Sequence, residues 1–265
     1  MRKPPKRILA LVGVGLASYL VILLADFPAS LAWSLLVPAA SPVTVRTIHG
    51  TIWQGRLEGL SLSRLRLQKL VWSLDGWALL GGHATIDIRV ESRDGTGSGA
   101  VSYLGPRHWS FRRVHAVVPL EALSGSLTWA RLRGRGTLHL MLRHLIVDGP
   151  ELVALVGTGS AAKITLESAI PVTLADVQLA AHALSPGTNR ISFRAGPGGS
   201  LLVTGHIRLE PDHHWSLTAR LKPATGANPA IGRLLSGYGS AGPDGYYTLH
   251  FTGDWPSLSR ISPAF

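Results

Sequence analysis

The sequence predicts a mainly β protein, in which one N-terminal transmembrane helix precedes an antiparallel, curved sheet of meander order with a few short helices. Three observations predict it. After residue 43, apolar and polar residues alternate with period two, which sends one side-chain set to a buried face and the other to water. Turn pairs rich in glycine and proline punctuate those runs, with Gly 30 and Pro 17 in 265 residues. The run Ile8 to Ala25 is uncharged for long enough to span a bilayer, and no other stretch is.

Composition excludes the neighbouring classes. Charged residues are 15% and hydrophobic residues 46%, with a mean hydropathy of +0.22, which argues against a disordered chain and against a long coiled coil. A single apolar span excludes a multi-pass transporter. The cysteine count of 0 removes disulfide scaffolds, thiol catalysis and Cys-based zinc sites together.

Taken in order, residues 1–7 carry Arg2, Lys3, Lys6 and Arg7 ahead of the apolar run. As a helix, 8–25 rises about 27 Å, close to the hydrocarbon thickness of a bilayer. The cations lie on its N-terminal side, so residues 1–7 are expected in the cytoplasm, 8–25 as an uncleaved signal anchor, and the bulk of the chain outside. A cleaved signal peptide is the rival, with Ser30-Leu31-Ala32 as its small-x-small site, but its apolar region would be shorter. In the juxtamembrane segment 26–42, Phe27–Pro38 is apolar and contains Trp33. It reads either as an interfacial helix or as the first helix of the folded domain.

The region 43–265 is expected to be one exported β-rich domain. Ala84, Ile86, Ile88 and Val90 alternate with Thr85, Asp87 and Arg89, and Leu138, Leu140 and Leu142 with His139, Met141 and Arg143. Trp215, Leu217, Ala219 and Leu221 alternate with Ser216, Thr218 and Arg220, and Tyr247, Leu249 and Phe251 with Thr248, His250 and Thr252. Further strands are expected at 43–48, 57–62, 65–74, 99–103, 109–117, 163–166, 172–179, 190–194 and 201–209. Turns are expected at Asp94-Gly95, Gly105-Pro106, Asp148-Gly149-Pro150, Ser185-Pro186-Gly187, 196–199 and Glu210-Pro211-Asp212. Short spacing between strands means antiparallel hairpins, since βαβ units need a helix between strands. The helical patches are 119–123 and 228–236, the second opening Asn228-Pro229 in cap-then-proline order. A one-faced sheet needs a cover, and two layers of the same chain is the usual solution. The sharper alternative leaves the apolar inner face as a groove open to lipid.

Catalytic and metal motifs are missing. There is no P-loop and no H-E-x-x-H. Gly13-x-Gly15 falls inside the anchor, where helix packing explains it. The glycine-rich runs 95–99 and 157–160 lack the strand–helix context of a dinucleotide site and read as turns. A nucleophile elbow requires G-x-S-x-G, and Tyr238 replaces the first glycine around Ser240. His139 and His144, five apart on a regular strand, face opposite ways. Asp212-His213-His214 sits in a turn and lacks the third or fourth converging ligand that a metal wants. No catalytic residue, cofactor or metal site is therefore expected.

The net charge of +11 includes the four topogenic cations. The other arginines recur singly on strands, as at Arg56, Arg64, Arg66 and Arg89, with Arg131, Arg133 and Arg135 the nearest thing to a patch. Nucleic-acid binding would want clustered cations among aromatics on one face. A solvated sheet face, or contact with anionic lipid or an acidic partner, accounts for them.

Two segments carry a resemblance. The first runs from Val45 through Gly50, Thr51, Trp53 and Gly55 and is followed by Leu70-Val71-Trp72-Ser73-Leu74. The second places Asn228, Pro229 and Leu235 before Asp244, Gly245 and Tyr247. A strand reading G-T-x-W-x-G after one anchor, closed by a helix and a D-G-x-Y hairpin, resembles the GspN family, protein N of the type II secretion system. The order of these elements over nearly the whole chain carries the likeness. It implies a single-pass inner-membrane accessory component, its domain in the periplasm, taking part in export of folded proteins through contacts with other secretion components. It implies no catalytic residue. Gly50 and Gly55 bracket a short strand where Trp53 can turn its ring inward, with Trp72 packed near it. Proteins of the AsmA-like group also pair one anchor with a long one-faced sheet, so the fold is expected to be AsmA-like in style. That analogy alone suggests the alternative, an envelope lipid-binding or lipid-transfer protein with lipid in the sheet groove.

Overall fold

The computed structural model describes residues 15, 18–19, 22–37, 43–62, 65–76, 84–105, 107–124, 133–167 and 172–254. Arg2, Lys3, Lys6, Arg7 and most of the expected anchor lie outside them, as do Arg64 and Arg131. Among the described residues no helix is long and apolar enough to cross a membrane. The chain divides into two compact units, one of residues 1–82 and 86–93, the other of 83–85 and 94–265.

In the first unit, described residues 15, 18–19 and 22–25 are helical, and helix α1 follows at Ala29–Leu36. The juxtamembrane apolar stretch thus forms a helix, seated through Ala29, which is 5% exposed. Five strands follow, β1 (Val43–Thr44), β2 (Thr47–Gly50), β3 (Gln54–Leu62), β4 (Leu65–Leu74) and β5 (Ala84–Ser92). They pair antiparallel as β1-β3-β4-β5, with β2 also on β3. Register sets Ile48, Leu57, Leu70 and Val90 in one apolar row. On the other face Glu58, Lys69 and Glu91 stand side by side, with Lys69 Nζ 3.7 Å from Glu91 Oε1 and Arg56 3.2 Å from Glu58. The expected strand at 43–48 divides at Val45-Arg46. There Gly59 adopts a φ of 68°, and a Cβ on it would stand 2.9 Å from Arg46 Cβ.

The second unit is a longer meander. Its strands are β6 (Gly95–Gly105), β7 (His108–Pro119), β8 (Arg133–Asp148), β9 (Glu151–Glu167), β10 (Val172–Leu174), β11 (Val177–Ser185), β12 (Thr188–Ala195), β13 (Leu201–Leu209), β14 (His214–Pro223) and β15 (Tyr247–Asp254). They pair in sequence order, except that β9 takes both β10 and β11 on the same side. Helix α2 (Leu120–Ser124) follows β7, and α3 (Pro229–Ser236) precedes β15.

Register turns the alternation into faces. One row reads Leu138, Ala161, Val177, Ala195, Val203, Leu221, Tyr247 from β8 to β15. The next reads Leu140, Gly159, Leu179, Phe193, Gly205, Ala219, Leu249, and the third Leu142, Gly157, Ala181, Ile191, Ile207, Leu217, Phe251. Cover on this face comes at one end, from Leu120 of α2, Leu174 of β10, and Ile231 and Leu235 of α3. Farther along, Ile191, Ile207 and Leu217 are half-buried and Phe251 is 43% exposed.

Three expectations are corrected. The runs 95–99 and 157–160 are strand, inside β6 and β9. A Cβ on Gly157 would come within 2.7 Å of Leu142 Cα, and one on Gly159 within 3.0 Å of Leu140 Cδ2. These glycines make room for the leucines of β8 and turn no corner. The expected strand at 172–179 is two strands, broken at Ala175-Asp176. Finally, β8 carries a bulge between Leu142 and His144. The extra residue inverts the alternation, so His144 shares the face of His139.

Candidate functional site

The first motif is the turn joining β2 to β3. Gly50, at φ 93°, and Gly55 face each other across it, and Thr51 N–H donates to the Gln54 carbonyl at 2.8 Å. A Cβ on Gly50 would lie 2.8 Å from Gly55 Cα, so only glycine fits that approach. Gly55 lies opposite Trp72 of β4, and its own Cβ would meet that indole's Cη2 at 2.6 Å and the His49 carbonyl at 2.7 Å. The Trp72 ring therefore crosses the glycine, while its Nε1–H donates to the Ile52 carbonyl at 3.2 Å.

Trp53 reaches the other way. Its Nε1–H donates to the carbonyl of Leu24 at 2.8 Å, at the end of the N-terminal helical stretch. Ile52 N–H donates to the Phe27 carbonyl at 3.1 Å, Pro28 bridges Thr51, and Leu74 N–H donates to the Trp53 carbonyl at 2.6 Å. The last carbonyls of a helix lack their usual helical donors; that of Leu24 accepts from Phe27 N–H at 3.4 Å and, more closely, from the Trp53 indole. The indoles expected to pack on each other act instead through their N–H groups on backbone. Together they form a clasp that fixes where the chain leaves the N-terminal helix and enters the sheet.

The second motif closes the chain. Asn228 Oδ1 accepts from Ala230 N–H at 2.9 Å and Pro229 takes the first helical position, a capped start for α3. Leu235, 5% exposed, and Ile231, 2% exposed, pack on Val172 and Leu201, with Tyr247 of β15 against the same cluster. Asp244 and Gly245, whose φ is 76°, form the turn into β15. The Asp244 carboxylate pairs with Arg220 and accepts from Tyr246 N–H at 3.1 Å, and its carbonyl accepts from Lys222 Nζ at 3.0 Å. The Arg220 guanidinium also lies 4.8 Å from the centre of the Tyr246 ring.

One arrangement was not visible in the sequence. Ser110 Oγ lies 3.2 Å from His144 Nε2, a nucleophile–base distance, while Ser102 Oγ sits 3.0 Å from Thr85 Oγ1 and 3.2 Å from Arg112 Nη2. A working pair needs an accessible hydroxyl and a third group orienting the base. Ser110 is 4% exposed, and no carboxylate bonds to His144 among the described residues. The network satisfies buried hydroxyls across β6, β7 and β8, and the β8 bulge, which no spacing announces, brings His144 to it. His214 spans the meander's last hairpin, bonding Asp254 at 3.1 Å. Among the described residues no group of histidine and carboxylate side chains could hold a metal ion.

Fold and motif geometry define a β-meander protein whose marked residues tie one stretch of backbone to another. Within that class, the chain belongs to the type II secretion system protein N family: residues 41–250 match the family described as Type II secretion system (T2SS), protein N. It is also similar to a protein named Type II secretion system protein N from Aeromonas hydrophila, with 25% identity over 260 residues, spanning 90% of this chain and 95% of that one. No solved structure matches.

Proposed function

We propose that this chain is an accessory component of the type II secretion system, anchored in the inner membrane, which takes part in export of folded proteins through contacts with other components. The family match over residues 41–250 carries the reading. Support for anchorage comes from the N-terminal cations Arg2, Lys3, Lys6 and Arg7 before the apolar run. Further support is that Tyr19, Ile22, Leu23 and Leu24 are exposed, as are Leu31 and Leu35, the last at 77%. Apolar side chains without protein cover suit a lipid environment. In this reading residues 1–7 are cytoplasmic, 8–25 cross the membrane, and the two β units lie in the periplasm. The clasp then couples the emerging helix to the sheet, and the protein needs no catalytic step.

Affinity purification of the full chain from gently solubilised membranes tests the reading. It should recover other secretion components, and deletion should lower exoprotein secretion. Recovery of none, with secretion unchanged, would sink it. Stoichiometric phospholipid on the extracted protein would favour the lipid-transfer alternative.

A further inference from the structure

The polar face of the second unit holds a groove of about 730 Å³ whose lining includes three arginines and no carboxylate. Its floor is a row of small and mid-sized residues, Thr158, Ala180, Ser192, His206 and Thr218, on five consecutive strands of the meander. Arg190 and Arg194 stand on β12 either side of Ser192, and Arg220 on β14 rises beyond Thr204. Strand geometry separates Arg190 from Arg194 by about 13 Å. Arg208 and Arg220 have acidic partners in Glu210 and Asp244. For Arg190 and Arg194 no ion pair is found among the described residues, and Arg190 Nε is buried without a hydrogen-bond partner. Both side chains line the groove, where an acceptor from elsewhere can meet them.

We propose that this groove receives an extended acidic segment of a partner protein, its carboxylates taken by Arg190 and Arg194. The guanidinium fork fits a carboxylate through two parallel hydrogen bonds. Gln178, Ser192, Thr204 and Thr218 supply neutral groups for the backbone between them. A lipid phosphate would meet the same cations, but acyl chains need apolar surface beside the headgroup. Leu179 and Phe193 reach the groove's lining, but the continuous apolar rows that would take acyl chains, such as that of Ile191, Ile207 and Leu217, lie on the opposite face of the sheet. His206, at the floor, is pushed below its ordinary pKa by burial and by Arg190, His250 and Arg208, in keeping with a positive potential around Arg190. The inference rests on the reading that the domain works by protein contact, and names the chemistry of one contact.

The test uses the full chain in detergent and a fluorescent serine–threonine peptide of about ten residues, with two glutamates four positions apart to span the arginines. The peptide should bind, weaken as salt rises, and lose about tenfold in affinity with Arg190→Gln/Arg194→Gln. Arg194→Gln alone, at an exposed position, should weaken binding without disturbing the fold. Equal binding of a glutamine-for-glutamate peptide, or no loss in either variant, overturns the proposal. Binding of phosphatidylglycerol vesicles through these arginines, with none of the peptide, overturns it in favour of lipid. Co-purification separates this from the broader reading. Secretion components recovered equally by both variants, with no peptide bound, leave the secretion role standing and remove the groove; peptide bound with no components recovered does the reverse.

Discussion

Trp53 and Trp72 serve the first unit through single hydrogen bonds to backbone, at Leu24 and Ile52. Trp53→Phe keeps an aromatic ring, though a smaller one, and deletes the donor. Limited proteolysis at residues 24–28 should accelerate while the sheet's circular dichroism is retained, for a stability loss of about 1 kcal/mol. Gly55→Ala acts differently, because its Cβ meets the Trp72 ring and the His49 carbonyl, and should cost about 1–3 kcal/mol by overpacking. Wild-type cleavage rates for Trp53→Phe would remove the clasp. His206 gives a pH test. Its pKa lies below the ordinary 6.5, so the unfolded chain binds its proton more readily than the fold does. Its effect on stability is absent above 6.5 and grows as pH falls through 6.5 toward the lowered value, where it levels off. Burial is the main cause, followed by Arg190, His250 and Arg208; the same face also carries His182, Arg194 and Arg220, with Asp244 on Arg220 and Glu210 on Arg208. His206→Gln should therefore flatten the fall in melting temperature between pH 7 and pH 5, and an unchanged slope would assign the effect elsewhere. Sequence pattern marks both tryptophans as special, but Leu24 lies 29 residues before Trp53 and its role as acceptor is set by tertiary placement.

At the scale of elements, α3 decides how one end of the apolar face is covered. Asn228→Ala removes the cap and should cost about 1 kcal/mol. Ile231→Ala opens a cavity against Val172 and Leu201 and should cost about 2–5 kcal/mol. Chemical denaturation compares the two, and a larger loss for the cap than for the cavity would contradict the packing described. Two of the further strands expected, Leu65–Leu74 and Leu201–Leu209, were legible to the residue. So was α3, because cap, proline and apolar spacing agree. The glycine runs in β6 and β9 were not legible, since a glycine that yields space to Val114 or to a leucine on the next strand looks the same in sequence as one that turns a corner. The β8 bulge was hidden for a related reason: one extra residue moves His144 to the other face without altering composition. The Arg190–Arg194 pair was visible only as scattered charge, because its meaning comes from the register that sets Ser192, His206 and Ala180 between them.

For the molecule as a whole, a role by contact asks which surface is offered. The edge of the first unit is broken into strands of two and four residues around Arg46, which protects it against pairing. At the end of the second unit, β15 runs eight residues, pairs only with β14 among the described residues, and carries Asp254 as its single charge and no proline. Its backbone is a template for strand addition by a partner sheet. An added strand would extend the apolar face that ends in Leu249 and Phe251, so a lysine there would stand among the newcomer's apolar side chains. Phe251→Lys should lower recovery of secretion components from membranes. Thr252→Lys, one residue on and facing the polar side, should leave recovery intact, with stability changed by no more than about 0.5 kcal/mol. If both lysines act alike, contact by charge outweighs contact by pairing; if neither acts, β15 is not the docking edge. Phe251 is 43% exposed, so the two substitutions are compared on protein whose circular dichroism shows the sheet intact.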